Sequence, residues 1–160
     1  MKETVPRGRQ RGRMLISLLL WQGAWHTAVL GAGAGAPRLA SAGVIVLVAI
    51  ALGFRGALRK ELVLIGAAVG IGFAVDSAIV LLGWLDFPPD ARFGAPSTVW
   101  MALLWANLAV HTAPGTIFGW LEGRLGLQVF IGATSGPPAY YGGAKPVSYT
   151  HLRAHETKEE

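Results

Sequence analysis

Three polar residues lie inside otherwise apolar runs of the chain: Asp76, Asn107 and His111. An acid at the centre of a run long enough to span a membrane costs about 2.5–3.5 kcal/mol on insertion scales. Such a residue is kept either because it carries a proton or binds a cation, or because it holds helices together by hydrogen bonds. These three residues are therefore the candidate polar intramembrane site.

Both roles stay open for Asp76, and we favour helix packing over an ion or proton site. No basic residue lies within an apolar run to neutralise the acid, so its partners would be neutral groups in other segments. Gly72 precedes Asp76 by one helical turn, which lets another helix approach this side closely. The candidate hydrogen-bond partners are Gln22, His26, Asn107 and His111.

Asn107 and His111 are four residues apart, so they share one face of a predicted helix shortly before Pro114. A polar pair beside a proline is compatible with a site on a broken helix. It is equally compatible with ordinary interhelical hydrogen bonds worth under about 1–2 kcal/mol, which we favour. His26 stands alone and is interpreted as an ordinary polar residue.

The elements that carry these residues are predicted from the length of the apolar runs. A helix needs about 20 apolar residues to cross a hydrocarbon core of about 30 Å. Five runs approach or exceed that length, at 14–36, 39–54, 62–85, 99–121 and 125–144, with prolines interrupting the last two. We expect an all-α, multi-pass transmembrane helical bundle forming one domain over 14–145, with a basic arm at 1–13 and a tail at 146–160.

Composition agrees with a membrane protein: 52% of the residues are hydrophobic, 14% are charged, and 22 are glycine. Of the 14 Lys and Arg residues, several precede the first run, where they are expected to meet anionic lipid headgroups: Lys2, Arg7, Arg9, Arg11 and Arg13. No basic stripe with interleaved aromatic residues follows, so a nucleic-acid partner is not expected. The predicted partners are the lipid bilayer and other membrane proteins.

Orientation follows from the basic residues in alternate loops. With a cytoplasmic N-terminus, nine Lys and Arg residues fall on the inner side and three on the outer side, namely Arg38, Arg92 and Lys145. The prediction depends on the arm, because Met14 is an alternative start that would leave 1–13 untranslated. A signal peptide is the other interpretation of the first run, but its length and its internal Trp21 and Trp25 favour a retained helix.

Motifs for cofactor, metal or covalent chemistry are missing from the sequence. There is no cysteine, no nucleophile elbow, no phosphate loop and no zinc motif. The glycines at 31, 33 and 35 follow no strand, so they predict a helix end of small residues and not a dinucleotide site. Gly66 and Gly70 match the small-residue pattern of helix packing. We therefore expect no catalytic residue, no metal and no cofactor.

The tail at 146–160 differs sharply from the rest of the chain because it is polar and charged. Its residues 147–157 look like one reading frame of a sequencing-library adapter, so the tail is expected to be artefactual, with a genuine solvated tail as the alternative. His151 and His155 are four residues apart within it and are not interpreted as metal ligands.

The order of several small, aromatic and proline residues resembles an uncharacterised family of bacterial inner-membrane proteins, catalogued as domain of unknown function 2878. The resemblance is carried by residues 72–76, Gly83, Phe87-Pro88, Pro96, Trp100, Leu104-Trp105, Trp120-Leu121, Gly136-Pro137, Tyr140 and Gly143-Ala144. It implies six helices with both termini cytoplasmic, the sixth being lost here by truncation. The chain departs from the family pattern at 111–115 and after 144.

These observations favour an integral inner-membrane protein that acts as a small membrane scaffold or an accessory subunit and is not itself an enzyme. A small-solute or proton-coupled transporter using Asp76 is the first alternative. A membrane-lipid-modifying enzyme, or the partner of one, is the second, and it would need several polar residues converging beside a cavity.

Overall fold

The computed structural model describes residues 7–53 and 58–156, and these form five α-helices without a β-strand. The helices are α1 (Arg7–Gly33), α2 (Pro37–Gly53), α3 (Leu58–Leu81), α4 (Val99–His111) and α5 (Leu125–Glu156). Short 3₁₀ turns at Pro89–Ala91 and Gly119–Leu121 lie in the two longer connections. The predicted all-α class is confirmed over the described residues.

Two predicted segments differ from the helices observed. The run at 99–121 is helical only to His111, because the chain turns before Pro114 and Phe118 N donates to the His111 carbonyl at 3.0 Å. The run at 125–144 is not interrupted by its prolines, and α5 stays helical through Pro137 and Pro138. A proline removes one backbone hydrogen bond without stopping a helix that is otherwise held.

Small residues form much of the interface between α1 and α2. α1 and α2 approach so closely that a Cβ at Gly31 would lie 2.7 Å from Ala40 Cβ, and one at Gly43 would lie 2.7 Å from the Thr27 methyl group. Buried apolar residues of α1 are again small: Ala24, Ala28, Val29 and Ala32. Close backbone approach through Gly and Ala is typical of helix packing in membranes.

Large apolar side chains lie on the outside of the bundle instead. On α3 they include Leu62, Val63, Leu64, Ile71 and Leu81, which are 48–75% exposed. Two helical stretches, Gln10–Gly33 and Glu61–Leu81, are long and apolar enough to cross a membrane, whereas α2 and α4 are shorter apolar helices. The predicted five spans therefore correspond to five helices, of which two meet the length and composition of a span.

Tertiary hydrogen bonds and ring contacts fix the two longer connections. Ser17 Oγ of α1 accepts a 3.1 Å hydrogen bond from Ile117 N, in the connection between α4 and α5. Phe87, in the connection between α3 and α4, packs edge to face against Trp100 of α4, with ring centroids 5.7 Å apart. Trp100 Nε1 also donates a hydrogen bond to the Ala91 carbonyl of the same connection at 3.1 Å. Both ends of α4 are thereby held in position.

Parts of three predicted features lie outside the described residues. Residues 1–6 of the basic arm are among them, while from Arg7 onward the arm belongs to α1. Residues 54–57 of the loop between α2 and α3 are outside as well, as are 157–160 of the predicted tail. The division of the chain at 13 and 145 stays a prediction.

Candidate functional site

Asp76 lies fully buried in the second half of α3 and is held by aromatic hydrogen-bond donors from two other helices. Trp105 Nε1 of α4 donates to Oδ2 at 2.9 Å, and the Tyr140 hydroxyl of α5 donates to Oδ1. Both carboxyl oxygens are thus engaged. The side chain of a single acid connects α3, α4 and α5.

Gly72 allows this arrangement because the Trp105 indole lies directly over it. A Cβ at residue 72 would lie 2.1 Å from Trp105 Cγ and 2.3 Å from Cδ1, distances that real Cβ atoms do not adopt. Gly72 is one turn before Asp76, so the ring that covers the glycine brings its N–H to the carboxylate. The predicted close approach at Gly72 is therefore present, and an indole ring provides it.

Asn107 and His111 are buried on α4, where they belong to a different set of contacts. Asn107 Nδ2 donates to the Trp21 carbonyl of α1 at 3.1 Å, and His111 Nδ1 lies 2.7 Å from the Asn107 carbonyl. The hydrogen bonds that the structure describes for Asp76 come from Trp105 and Tyr140 instead. Asn107 connects α4 to α1, while Asp76 connects α3 to α4 and α5.

Gln22 and His26 are not oriented towards Asp76. Both are exposed on α1, and His26 Nδ1 lies 2.8 Å from the Gln22 carbonyl one turn earlier. Small-residue packing at Gly66 and Gly70 is also not found within the described chain, since a Cβ at either position would meet nothing within 4 Å. These two glycines lie on the outer side of α3.

An apolar cavity of about 300 Å³ lies beside the buried acid, between α1, α4 and α5. Trp105 and Tyr140 form part of its wall, whereas Asp76 is not among the residues that line it. The other aromatic lining residues are Trp21, Trp25, Phe87 and Trp100. Its volume is at the lower end of the range of about 300–1,000 Å³ typical of small-molecule sites.

The arrangement is suited to holding helices together and enclosing an apolar group. Among the described residues no cluster of three or more His, Asp or Glu side chains could hold a metal ion. Each oxygen of Asp76 accepts a hydrogen bond, and Asp76 does not line the cavity, whereas its two donors do. Asp76, Asn107 and His111 are not among the residues that line this cavity.

Sequence reasoning missed the two donors, Trp105 and Tyr140. Indole and phenol groups are donors as well as apolar surface, and when buried they usually find a partner. Both residues are among those that carry the family resemblance. Their place among the residues that carry the family resemblance was the signal in the sequence that could have identified them.

Together, the fold and the site of the described residues define an all-α protein with a small-residue interface between α1 and α2, many exposed Leu and Ile side chains, and a buried acid, Asp76, that is hydrogen-bonded to two other helices. The chain belongs to the family described as "Protein of unknown function (DUF2878)", whose family model matches residues 14–157. No curated protein and no solved structure matches the chain.

Proposed function

We propose that this protein is a multi-pass integral protein of the bacterial inner membrane and acts as a small membrane scaffold or accessory subunit. The observation that supports this most is the distribution of side chains, with many Ala and Ser residues and Asp76 buried while many Leu and Ile side chains are exposed. Soluble monomers rarely expose continuous apolar patches of more than a few hundred Å². In a bilayer, the same exterior contacts lipid.

The shorter helices are compatible with this proposal. α4 has 13 residues and would extend only about 20 Å at about 1.5 Å per residue. The apolar chain continues beyond it, and non-helical backbone is tolerated at membrane depth where protein groups satisfy it. The His111 carbonyl, freed at the end of α4, accepts bonds from Phe118 N and, at 2.5 Å, from Thr116 Oγ1.

The geometry of Asp76 supports packing over transport. A transport acid must exchange a proton or cation with a path through the protein, whereas both oxygens of Asp76 accept hydrogen bonds from ring donors. Its position outside the cavity lining agrees with the same assignment. We assign Asp76 the role of a packing residue that joins three helices, with Asn107 joining α4 to α1 in the same manner.

Fractionation and fusion experiments test the membrane assignment. We expect the expressed chain in the membrane fraction, resistant to alkaline carbonate, which releases peripheral proteins. With a cytoplasmic N-terminus, alkaline phosphatase fused after Phe87 should be active, and the matched fusion after Gly53 inactive. Release by carbonate would contradict the membrane proposal, and the opposite activities would contradict the orientation alone.

The Asp76→Asn variant tests packing against transport. An amide keeps one acceptor oxygen and presents an NH₂ group to the second donor, so we expect a loss of about 1–3 kcal/mol in the free energy of unfolding. The comparison variant is Asn107→Asp, which makes the reverse exchange, amide to carboxyl, at another buried residue of the core. It leaves the Asp76 contacts unchanged, so any effect on proton flux that is specific to Asp76 should be missing from it. An Asp76→Asn protein with unchanged stability and reduced proton flux in vesicles would favour the transporter instead.

A further inference from the structure

The cavity has one unusual wall, formed by a face of α5 on which every lining residue except Tyr140 is small. The residues of that wall are Gly132, Ser135, Gly136, Ala139, Tyr140 and Gly143. A Cβ at Gly132 or Gly136 would meet nothing within 4 Å, so the glycines do not serve close packing with another described helix. A row of small residues facing aromatic rings leaves a space that a ligand can fill.

We propose that this cavity binds one acyl chain of a membrane phospholipid, an inference that depends on the proposed membrane location. The lining is mostly apolar, with aromatic and aliphatic residues of α1 and α4 opposite the small residues of α5. Burial of methylene groups in such a site is favourable when the chain replaces empty space or poorly held water.

The dimensions of the cavity favour an extended chain. Its lining reaches from Gly132 to Gly143 on α5 and from Trp100 to Leu108 on α4, about 16 Å and about 12 Å at the helical rise. A cavity of this length with a volume of about 300 Å³ suits an extended hydrocarbon chain.

The position of α5 provides an entrance from the bilayer. α5 packs mainly against α1, while the cavity separates it from α4. Leu108 lines the cavity and is 39% exposed, so its side chain contacts both the cavity and the surroundings of the bundle. A phospholipid in the surrounding bilayer can therefore insert a chain sideways without leaving the membrane, which favours it over a water-borne ligand.

One end of the cavity offers a polar setting for a headgroup. Asp86 and Phe87 line this end of the cavity, together with Trp100 of α4 and Gly143 of α5. Arg92 Nη2 donates to Asp86 Oδ1 at 2.5 Å, and Arg92 Nε donates to the Phe87 carbonyl at 2.8 Å. Both charged side chains are largely exposed, so the headgroup of the lipid would lie beside this pair while its chain fills the cavity.

Tryptophan fluorescence can report on this cavity selectively. Of the six tryptophans, Trp84 and Trp120 are exposed and do not line the cavity, whereas the other four all line it. In a Trp84→Phe/Trp120→Phe background, all tryptophan emission comes from the cavity wall. The probe is a phosphatidylcholine dibrominated at mid-chain, titrated into the purified full chain in dodecyl maltoside micelles, with unbrominated dioleoyl phosphatidylcholine as the reference.

We expect saturable quenching by the brominated lipid in the background protein. Gly132→Leu places a side chain into the cavity and should at least halve the quenched fraction, with Ala139→Leu as a second filling variant. Gly142→Leu is the matched control, because it lies on the same helix, has open space around it and does not line the cavity. It should quench like the background.

Equal quenching in Gly132→Leu and Gly142→Leu would overturn the proposal, since the bromines would then report only lipid around the bundle. Quenching by a brominated free fatty acid but not by the brominated phospholipid would overturn the choice of a phospholipid. If the protein resists carbonate extraction, either of these results leaves the membrane proposal intact. Failure of the lipid proposal can therefore be distinguished from failure of the membrane proposal. Release by carbonate would remove the basis of both.

Discussion

The Trp105 indole occupies the position where any side chain on Gly72 would have to lie, with a Cβ there only 2.1 Å from the ring. This relationship brings the ring N–H within 2.9 Å of Asp76 Oδ2. Because Gly72 has no side chain, the Trp105 indole can lie over α3 and donate a hydrogen bond to Asp76 on the same helix. The buried carboxylate and the glycine one turn before it act as one structural unit.

Gly72→Ala should destabilise the protein by displacing this ring. Overpacking of a closely packed core costs about 1–3 kcal/mol, and the Trp105 hydrogen bond is lost in addition. Gly70→Ala on the same helix is the control, because an added Cβ meets nothing within 4 Å. Thermal unfolding in detergent, followed by circular dichroism, should show a lower midpoint for Gly72→Ala alone. Equal midpoints for the two variants would contradict the contact.

Ser17→Ala should loosen the connection between α4 and α5. The Ser17 hydroxyl is the acceptor for Ile117 N, and a buried N–H without a partner costs about 1–3 kcal/mol. Ser135→Ala is the control, because that hydroxyl donates to the Ile131 carbonyl of its own exposed helix turn. We expect faster hydrogen exchange around Ile117 in Ser17→Ala only. Unchanged exchange there would show that Ser17 does not hold the connection.

Trp100→Phe should weaken the connection that leads into α4. The change keeps an aromatic ring against Phe87 but removes the N–H that donates to the Ala91 carbonyl. We expect a loss of about 0.5–1.5 kcal/mol in the free energy of unfolding. Trp84→Phe, at a residue 79% exposed, is the matched control and should change stability little. A smaller effect for Trp100→Phe than for Trp84→Phe would contradict this assignment.

The sequence was sufficient to predict the five helical segments, because each apolar run is long enough to form several turns of helix. It did not predict where α4 ends, since the apolar run continues past His111 and the chain turns before Pro114. It also predicted an interruption at Pro137 that α5 does not have. Helix ends depend on which backbone groups find partners, and hydropathy does not report that.

The buried acid was predicted as a packing residue, while its partners were not. Polar side chains in other segments were the natural candidates, yet Gln22 and His26 face outward on α1. Which residues meet depends on the rotation of each helix about its axis, a quantity that short apolar runs with many glycines leave undetermined. The cavity was unpredictable for the same reason, since it arises from the distance between α4 and α5.

The interaction between Asp76 and Tyr140 is the most direct test of the account, because among the hydrogen bonds described for Asp76 it is the one that comes from α5. The measurement is a double-mutant cycle of Asp76→Ala and Tyr140→Phe on the free energy of unfolding in mixed micelles. We predict a coupling energy of about 0.6–1.7 kcal/mol, from the average to the largest value found for interhelical hydrogen bonds in a membrane protein. Additive effects, within about 0.3 kcal/mol, would contradict the claim that Asp76 joins these helices.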